Sequence, residues 1–204
     1  MTSAHYDVQA DLRFLLPLQP GQCVAVIGAK PALINAIKCD GMKLVVPAVS
    51  YGTIDLQTAS TDHVICVDNR IPADSTMFNE YARVLKPGGF LFIGVSNTAS
   101  IKFLFRRMRK ITKRLHGLTV TKGFRTLTYA GFKVENCYGI QSDLHNPSFI
   151  VSLEKAHPSE YYFTHIFEPY SLLSILGLQA AFLLIKLGLY RMLFADLGMV
   201  ARRC

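Results

Sequence analysis

A helix end, a glycine turn and a buried strand follow one another in Glu80-Tyr81-Ala82-Arg83-Val84-Leu85-Lys86-Pro87-Gly88-Gly89-Phe90-Leu91-Phe92-Ile93-Gly94-Val95-Ser96-Asn97. No other stretch constrains the fold as tightly. Arg83 and Lys86 fall in the last turn of a helix, where cations complement the exposed carbonyls. Pro87 cannot continue that helix, and Gly88 and Gly89 accept the backbone that closes it. Phe90 to Val95 is almost wholly apolar, as in a strand buried on both faces. A similar run, His63 to Asp68, lies just upstream and supplies the partner strand. Strand, helix, turn and strand make a βαβ unit, which implies a parallel sheet with helices packed on it.

These residues resemble the region of class I S-adenosylmethionine (SAM) dependent methyltransferases in which a helix ending in R-hydrophobic-L-K-P-G-G leads into a central strand. Leu127-Thr128-Tyr129-Ala130-Gly131-Phe132-Lys133-Val134 resembles the same superfamily's L-x-x-A-G-F-x-V before its sixth strand. Leu197-Gly198-Met199-Val200-Ala201-Arg202-Arg203 resembles its closing strand, an apolar run with a basic end. The resemblance spans roughly Leu12 to Ile140 and again Leu197 to Arg203. It implies a Rossmann-like α/β fold and SAM as cofactor, and it leaves the methyl acceptor open.

The glycine loop is where the chain departs from that pattern. Cys23 to Gly28 reads as the first strand, and Val26-Ile27-Gly28-Ala29-Lys30-Pro31-Ala32 stands where the family has an acid followed by three glycines. Gly28 alone is kept; Val26, Lys30 and Ala32 replace the rest. Glycine there permits close backbone approach to a cofactor. Pro31 suits the first turn of the helix that follows, and Lys30 supplies a cation for an anionic group. The next strand, Lys43 to Ala48, ends without the acid that the family uses for the ribose hydroxyls. About forty residues separate Gly28 from Asp68, too few for two full strand–helix repeats, so one repeat is shortened or lost. The resemblance therefore implies a cofactor set of Gly28, Ala29, Lys30, Asp55, Asp68 and Asn69. Asp55 is the remaining candidate for adenine or ribose, and it also reads as a solvated turn residue. Ser96 and Asn97 occupy a carboxyl-end loop and, with His145, form the candidate substrate set. Ser96 to Thr98 also read as the cap of the next helix, and that structural reading ranks ahead of substrate contact.

Charge and hydropathy point to a surface as the partner. The formal net charge is +8 with a pI near 9.3, and the mean hydropathy is +0.27. From Lys102 to Arg114 seven cations and no acid accompany an apolar stripe of Ile101, Leu104, Phe105, Met108, Ile111 and Leu115. Arg106, Arg107, Arg109, Lys110 and Lys113 of this helix are the candidates for contact with anionic lipid headgroups. Nucleic acid is the competing anion and ranks last, because no aromatic–basic interleaving accompanies the helix. Ser171 to Ile185 carries no charge, and Lys186 and Arg191 interrupt the apolar run after it. Such a run is short for a span of about twenty residues; it is expected to form an apolar helical pair joined near Lys186-Leu187-Gly188. The chain then divides into a core over 1–140, a hydrophobic helical insertion over 141–196 facing a membrane or a protein partner, and a final core strand over 197–204. Five scattered cysteines without a C-x-x-C pair argue against disulfides and a zinc site. An amino terminus without a basic, apolar leader gives the cytoplasm, at the membrane surface, as the expected location. The leading expectation is methyl transfer from SAM to a lipid-linked or hydrophobic small molecule at a membrane. The alternative is a catalytically inactive, methyltransferase-like subunit that scaffolds or anchors a partner enzyme.

Overall fold

The computed structural model describes residues 11–50, 52–68, 71–108, 116–141, 144–145, 147–166 and 172–204. Leu12–Leu15 is a single 3-10 turn capped by Asp11, whose carboxylate accepts from the Arg13 amide at 2.9 Å. Arg13 reaches on to Asp40 at 2.5 Å and so ties this turn to the end of the first helix. Strand β1 (Cys23–Ile27) leads into helix α1 (Pro31–Cys39), with its proline where no amide donor is needed. Strand β2 (Lys43–Val45) is shorter than expected, because Pro47 cannot donate to a ladder. A small hairpin follows, β3 (Val49–Ser50) and β4 (Thr53–Ile54), turned at Gly52 with φ +81°.

Strand β5 (Thr61–Cys66) comes next, then helix α2 (Ser75–Val84), begun by the Asp74 side chain accepting from the Met77 amide at 3.0 Å. Strand β6 (Leu85–Asn97) starts earlier than its sequence suggests. Its pairing with β5 runs through Thr61↔Leu85, then slips before His63↔Phe90, so Pro87-Gly88-Gly89 forms a bulge inside the strand rather than a turn ahead of it. After it come α3 (Ile101–Met108), β7 (Gly117–Leu118), α4 (Val120–Tyr129) and β8 (Phe132–Gln141). Next are β9 (Phe149–Ser152), α5 (His157–Tyr161) and a π-helical turn at Tyr162–Ile166. Helix α6 (Leu172–Lys186), a 3-10 turn at Tyr190–Leu193 and β10 (Asp196–Arg203) complete the chain.

The main sheet has the order β2-β1-β5-β6-β10-β8-β9, with β7 beside the end of β6. β2, β1, β5 and β6 are parallel, and β10 lies antiparallel between β6 and β8. This is the expected Rossmann-like α/β sheet with a shortened early half: β2 is the edge, and the β3–β4 hairpin stands where a further strand–helix repeat would begin. The last strand does return to the middle of the sheet. Both faces are buried, which is why Val24, Ala25, Val26 and Ile27 are all sequestered in succession. Ile37 and Leu16 cover one face; Phe78, Tyr81 and Leu127 cover the other.

Two expectations change in the chain's last third. The apolar stretch forms one helix, α6, and then a single 3-10 turn instead of a second helix, because Gly188 takes φ +72° and turns the backbone. The segment between β8 and β10 also belongs to the core: Phe163, Ala181, Ile185, Tyr190 and Phe194 pack into the same apolar cluster as Phe78 and Leu127. No described helix is long and apolar enough to cross a membrane. Of the basic helix, α3 carries Arg106 and Arg107, while Arg109, Lys110 and Lys113 lie outside the described residues.

Candidate functional site

The carboxyl ends of β1, β5, β6 and β8 lie along one edge of the sheet, the edge where open parallel sheets bind ligands. β1 ends in Gly28, an exposed residue with φ +72°, a conformation that side chains disfavour. A Cβ built on it would lie 2.3 Å from the Cβ of Asp68 and 2.9 Å from its Cα. The glycine therefore admits the β5 loop against the end of β1, and two members of the expected cofactor set, Gly28 and Asp68, are brought together. Ala29 is half-buried and packs into the core, and Lys30 is the exposed residue that begins α1. Asn69 lies outside the described residues.

Beside this edge the β3–β4 hairpin and the start of α2 enclose a groove of about 480 Å³ lined by Val49, Gly52, Ile71, Pro72, Asp74, Thr76 and Met77. Its volume is in the range that holds small ligands. Glu80 and Arg83 fix the hairpin wall. The Ile54 amide donates to Glu80 Oε2 at 3.1 Å, and Arg83 donates to the carbonyls of Ile54 and Leu56 at 2.9 Å and 2.8 Å. Hydrogen bonding to Arg83 holds the Glu80 carboxyl below its ordinary range. Asp55 is exposed just past β4 and does not line the groove. The groove's own carboxylate is Asp74, whose Oδ1 already accepts from Met77. Sequence reasoning missed Asp74 and the residues around it. The signal was Asp74-Ser75-Thr76, a capping sequence just after the carboxyl end of a buried strand.

Ser96 and Asn97 are engaged inside the protein. Asn97 is 1 % exposed; its Nδ2 donates to the carbonyls of Arg191 and Phe194 at 2.8 Å and 2.9 Å, and its Oδ1 accepts from Ala99 at 3.1 Å. Ser96 Oγ donates to Asp196 Oδ1 at 3.1 Å. Both side chains thus secure the entry to β10. Asp196 is a half-buried carboxylate at the same edge that sequence reasoning did not single out. His145 is also at this edge, half-buried in the loop after β8, where its neighbour Leu144 packs over Gly94. At the end of β5, burial pushes the Cys66 thiol up and the Tyr81 hydroxyl donates to its sulfur at 3.1 Å, so this cysteine is no nucleophile. No group of three or more metal-ligating side chains occurs among the described residues.

The fold has counterparts among solved structures. A SAM-dependent methyltransferase from Thermotoga maritima superposes with TM-score 0.54 at 12 % identity, over 94 % of this chain and 86 % of that one. The fold is that of the class I SAM-dependent methyltransferases. A SAM-dependent methyltransferase from Mesorhizobium loti matches with TM-score 0.50 at 13 % identity, over 94 % of this chain and 95 % of its own. The geranyl diphosphate C-methyltransferase of Streptomyces coelicolor, solved with S-adenosylhomocysteine and geranyl diphosphate, matches with TM-score 0.52 at 12 % identity, over 91 % and 76 %. No protein-family model matches the sequence, and a search of curated proteins finds no match.

Proposed function

We propose that the protein transfers a methyl group from SAM to a lipid-linked or hydrophobic small-molecule acceptor at a membrane surface. The observation that carries the reading is the meeting of Gly28 and Asp68 beside the hairpin groove, on the ligand-binding edge of a methyltransferase fold. The residues fit the cofactor in two respects. Gly28 lets the Asp68 loop close against the end of β1 and so brings that loop to the ligand edge, and the groove offers an apolar slot with one carboxylate, Asp74, for ribose hydroxyls. Lys30 and the first amides of α1 favour a carboxylate at the other end of the ligand. Bound there, SAM supplies an electrophilic methyl on a positively charged sulfur. The protein's share is to hold the acceptor in line with that methyl and to keep water out. Asp196 and His145 lie at the same edge as groups that can receive the acceptor's proton. A hydrophobic acceptor is supported by the apolar surface next to this edge, and by the structural neighbour that was solved with geranyl diphosphate. Peripheral attachment to the cytoplasmic side of a membrane follows from the same reading.

The test is transfer of label from methyl-tritiated SAM in the presence of a membrane lipid extract. The expected result is label in the organic phase, lost on denaturing the protein. One observation favours the second reading, an inactive subunit that anchors a partner enzyme: Val26, Lys30 and Ala32 stand where an acid and glycines are usual. Absence of both cofactor binding and transfer would select it.

A further inference from the structure

We propose that the outer face of α6, together with α3, is a docking surface for an anionic membrane. A helix packed on a soluble core turns polar residues outward. α6 instead keeps apolar residues on both sides: Ala181 and Ile185 pack into the core, while Ile175, Leu176 and Leu183, with Leu187 in the turn just after the helix, are 43 % to 61 % exposed. α3 adds Leu104 and Phe105, 42 % and 58 % exposed. The two helices belong to one region, since both pack against the turn at Tyr190–Leu193.

Charge identifies the occupant. From Tyr81 through Val134, and again from Pro169 through Ala195, the sequence contains no Asp or Glu. Lys102 and Lys186 are exposed on these helices, and α3 ends with Arg106 and Arg107 in sequence. An apolar face whose own two helices carry cations and no acid matches a bilayer that offers acyl chains below and negative headgroups around, with Glu160 on the adjoining α5 the described carboxylate that stands against it. A second copy of the chain fits poorly, because a two-fold interface would set this patch, and its like charges, against itself. The surface also adjoins the ligand edge: Asn97, at the end of β6, holds the carbonyls of Arg191 and Phe194 in the segment that leaves α6. This deepens the acceptor reading above by stating how the protein meets a lipid-borne substrate, yet the two fail separately, since vesicle binding needs neither cofactor nor acceptor.

The experiment is co-sedimentation of the full chain with vesicles of phosphatidylcholine alone and of three parts phosphatidylcholine to one part phosphatidylglycerol. Binding to the anionic vesicles is expected, weakened about tenfold or more by Leu183→Glu with Leu187→Glu, and about thirtyfold or more by Lys102→Glu with Lys186→Glu. The affinity for S-adenosylhomocysteine and the unfolding midpoint should stay unchanged, which separates docking from cofactor binding and from misfolding. If the glutamate pair unfolds the protein, Leu183→Ser with Leu187→Ser repeats the test without new charge. Failure of the unaltered protein to bind anionic vesicles, or binding indifferent to both pairs of substitutions, overturns the proposal. So does a dimer in ultracentrifugation that the Leu183 and Leu187 variants convert to monomer, which would make this face a contact between copies.

Discussion

Gly28 touches Asp68 so closely that any side chain at position 28 would overlap the main chain of the β5 loop. The contact joins the ends of two neighbouring parallel strands at the edge where ligand binds, and it depends on a positive φ as well as on the missing Cβ. Gly28→Ala is expected to lower stability by about 2 kcal/mol or more, a fall of about 4–8 °C in Tm for a chain of this size, and to abolish cofactor binding. Scanning calorimetry checks the first part. A variant with unchanged Tm would mean that the β5 loop is not seated on Gly28.

Arg83 and Glu80 hold the hairpin that walls the groove, three residues apart on α2 and gripping Ile54 by both of its backbone polar groups. Arg83→Met removes the donors to two carbonyls and is expected to cost about 1–3 kcal/mol. Hydrogen exchange should speed up at Ile54 and in the hairpin before it changes in β1 or β5, and cofactor affinity should fall with it. Equal exchange in the variant and the parent would show that the hairpin is held by other means.

Asn97→Ala separates a structural role from a substrate role. Truncation leaves the Phe194 carbonyl unpaired in a buried place, at about 1–3 kcal/mol, and also strips the part-buried Arg191 carbonyl and Ala99 amide of their partner at a smaller cost each. Urea unfolding should report a loss of several kcal/mol. A side chain that served acceptor binding alone would leave the unfolding midpoint where it was.

His63 makes stability depend on pH. Burial holds its imidazole below the ordinary range, with the neighbouring Asp62 carboxylate opposing the effect. Nε2 lies 2.8 Å from Gln22 Oε1, Nδ1 is buried without a hydrogen-bond partner, and the Phe90 ring lies 6.0 Å away. The unfolded chain therefore takes up its proton first as pH falls. Stability is full above about pH 6.5, declines below it, and stops declining from this source once the folded ring is charged. Urea midpoints measured across that window should show the slope, and His63→Gln should flatten it. A slope of equal size in the variant would assign it to another group.

Much of this was legible because it rests on local chemistry. The apolar runs at Cys23, His63 and Phe90, the Ala130-Gly131-Phe132 helix end and the basic finish at Arg203 each announce an element within a few residues. The shortened early half was a matter of counting from Gly28 to Asp68. What escaped was non-local. The partners of Asn97 lie 94 and 97 residues away, so its sequence neighbourhood suggests only a loop facing ligand. The hairpin strands of two residues each carry no periodicity, which hid the groove and Asp74 with it. The bulge at Pro87-Gly88-Gly89 looks like a turn because the same residues serve either purpose. The uncharged run marked α6, but whether its outer face would be covered depended on packing that no single stretch encodes.

The most direct measurement is calorimetric titration of the full chain with S-adenosylhomocysteine and with SAM. A single saturable site is expected for both. Asp74→Asn, which keeps a good helix cap, should weaken each by about tenfold, the loss of a charged hydrogen bond, with Asp55→Asn weakening them less. No binding of either compound at millimolar concentration would contradict the cofactor site at the Gly28–Asp68 edge and with it the reading of the protein as a methyltransferase.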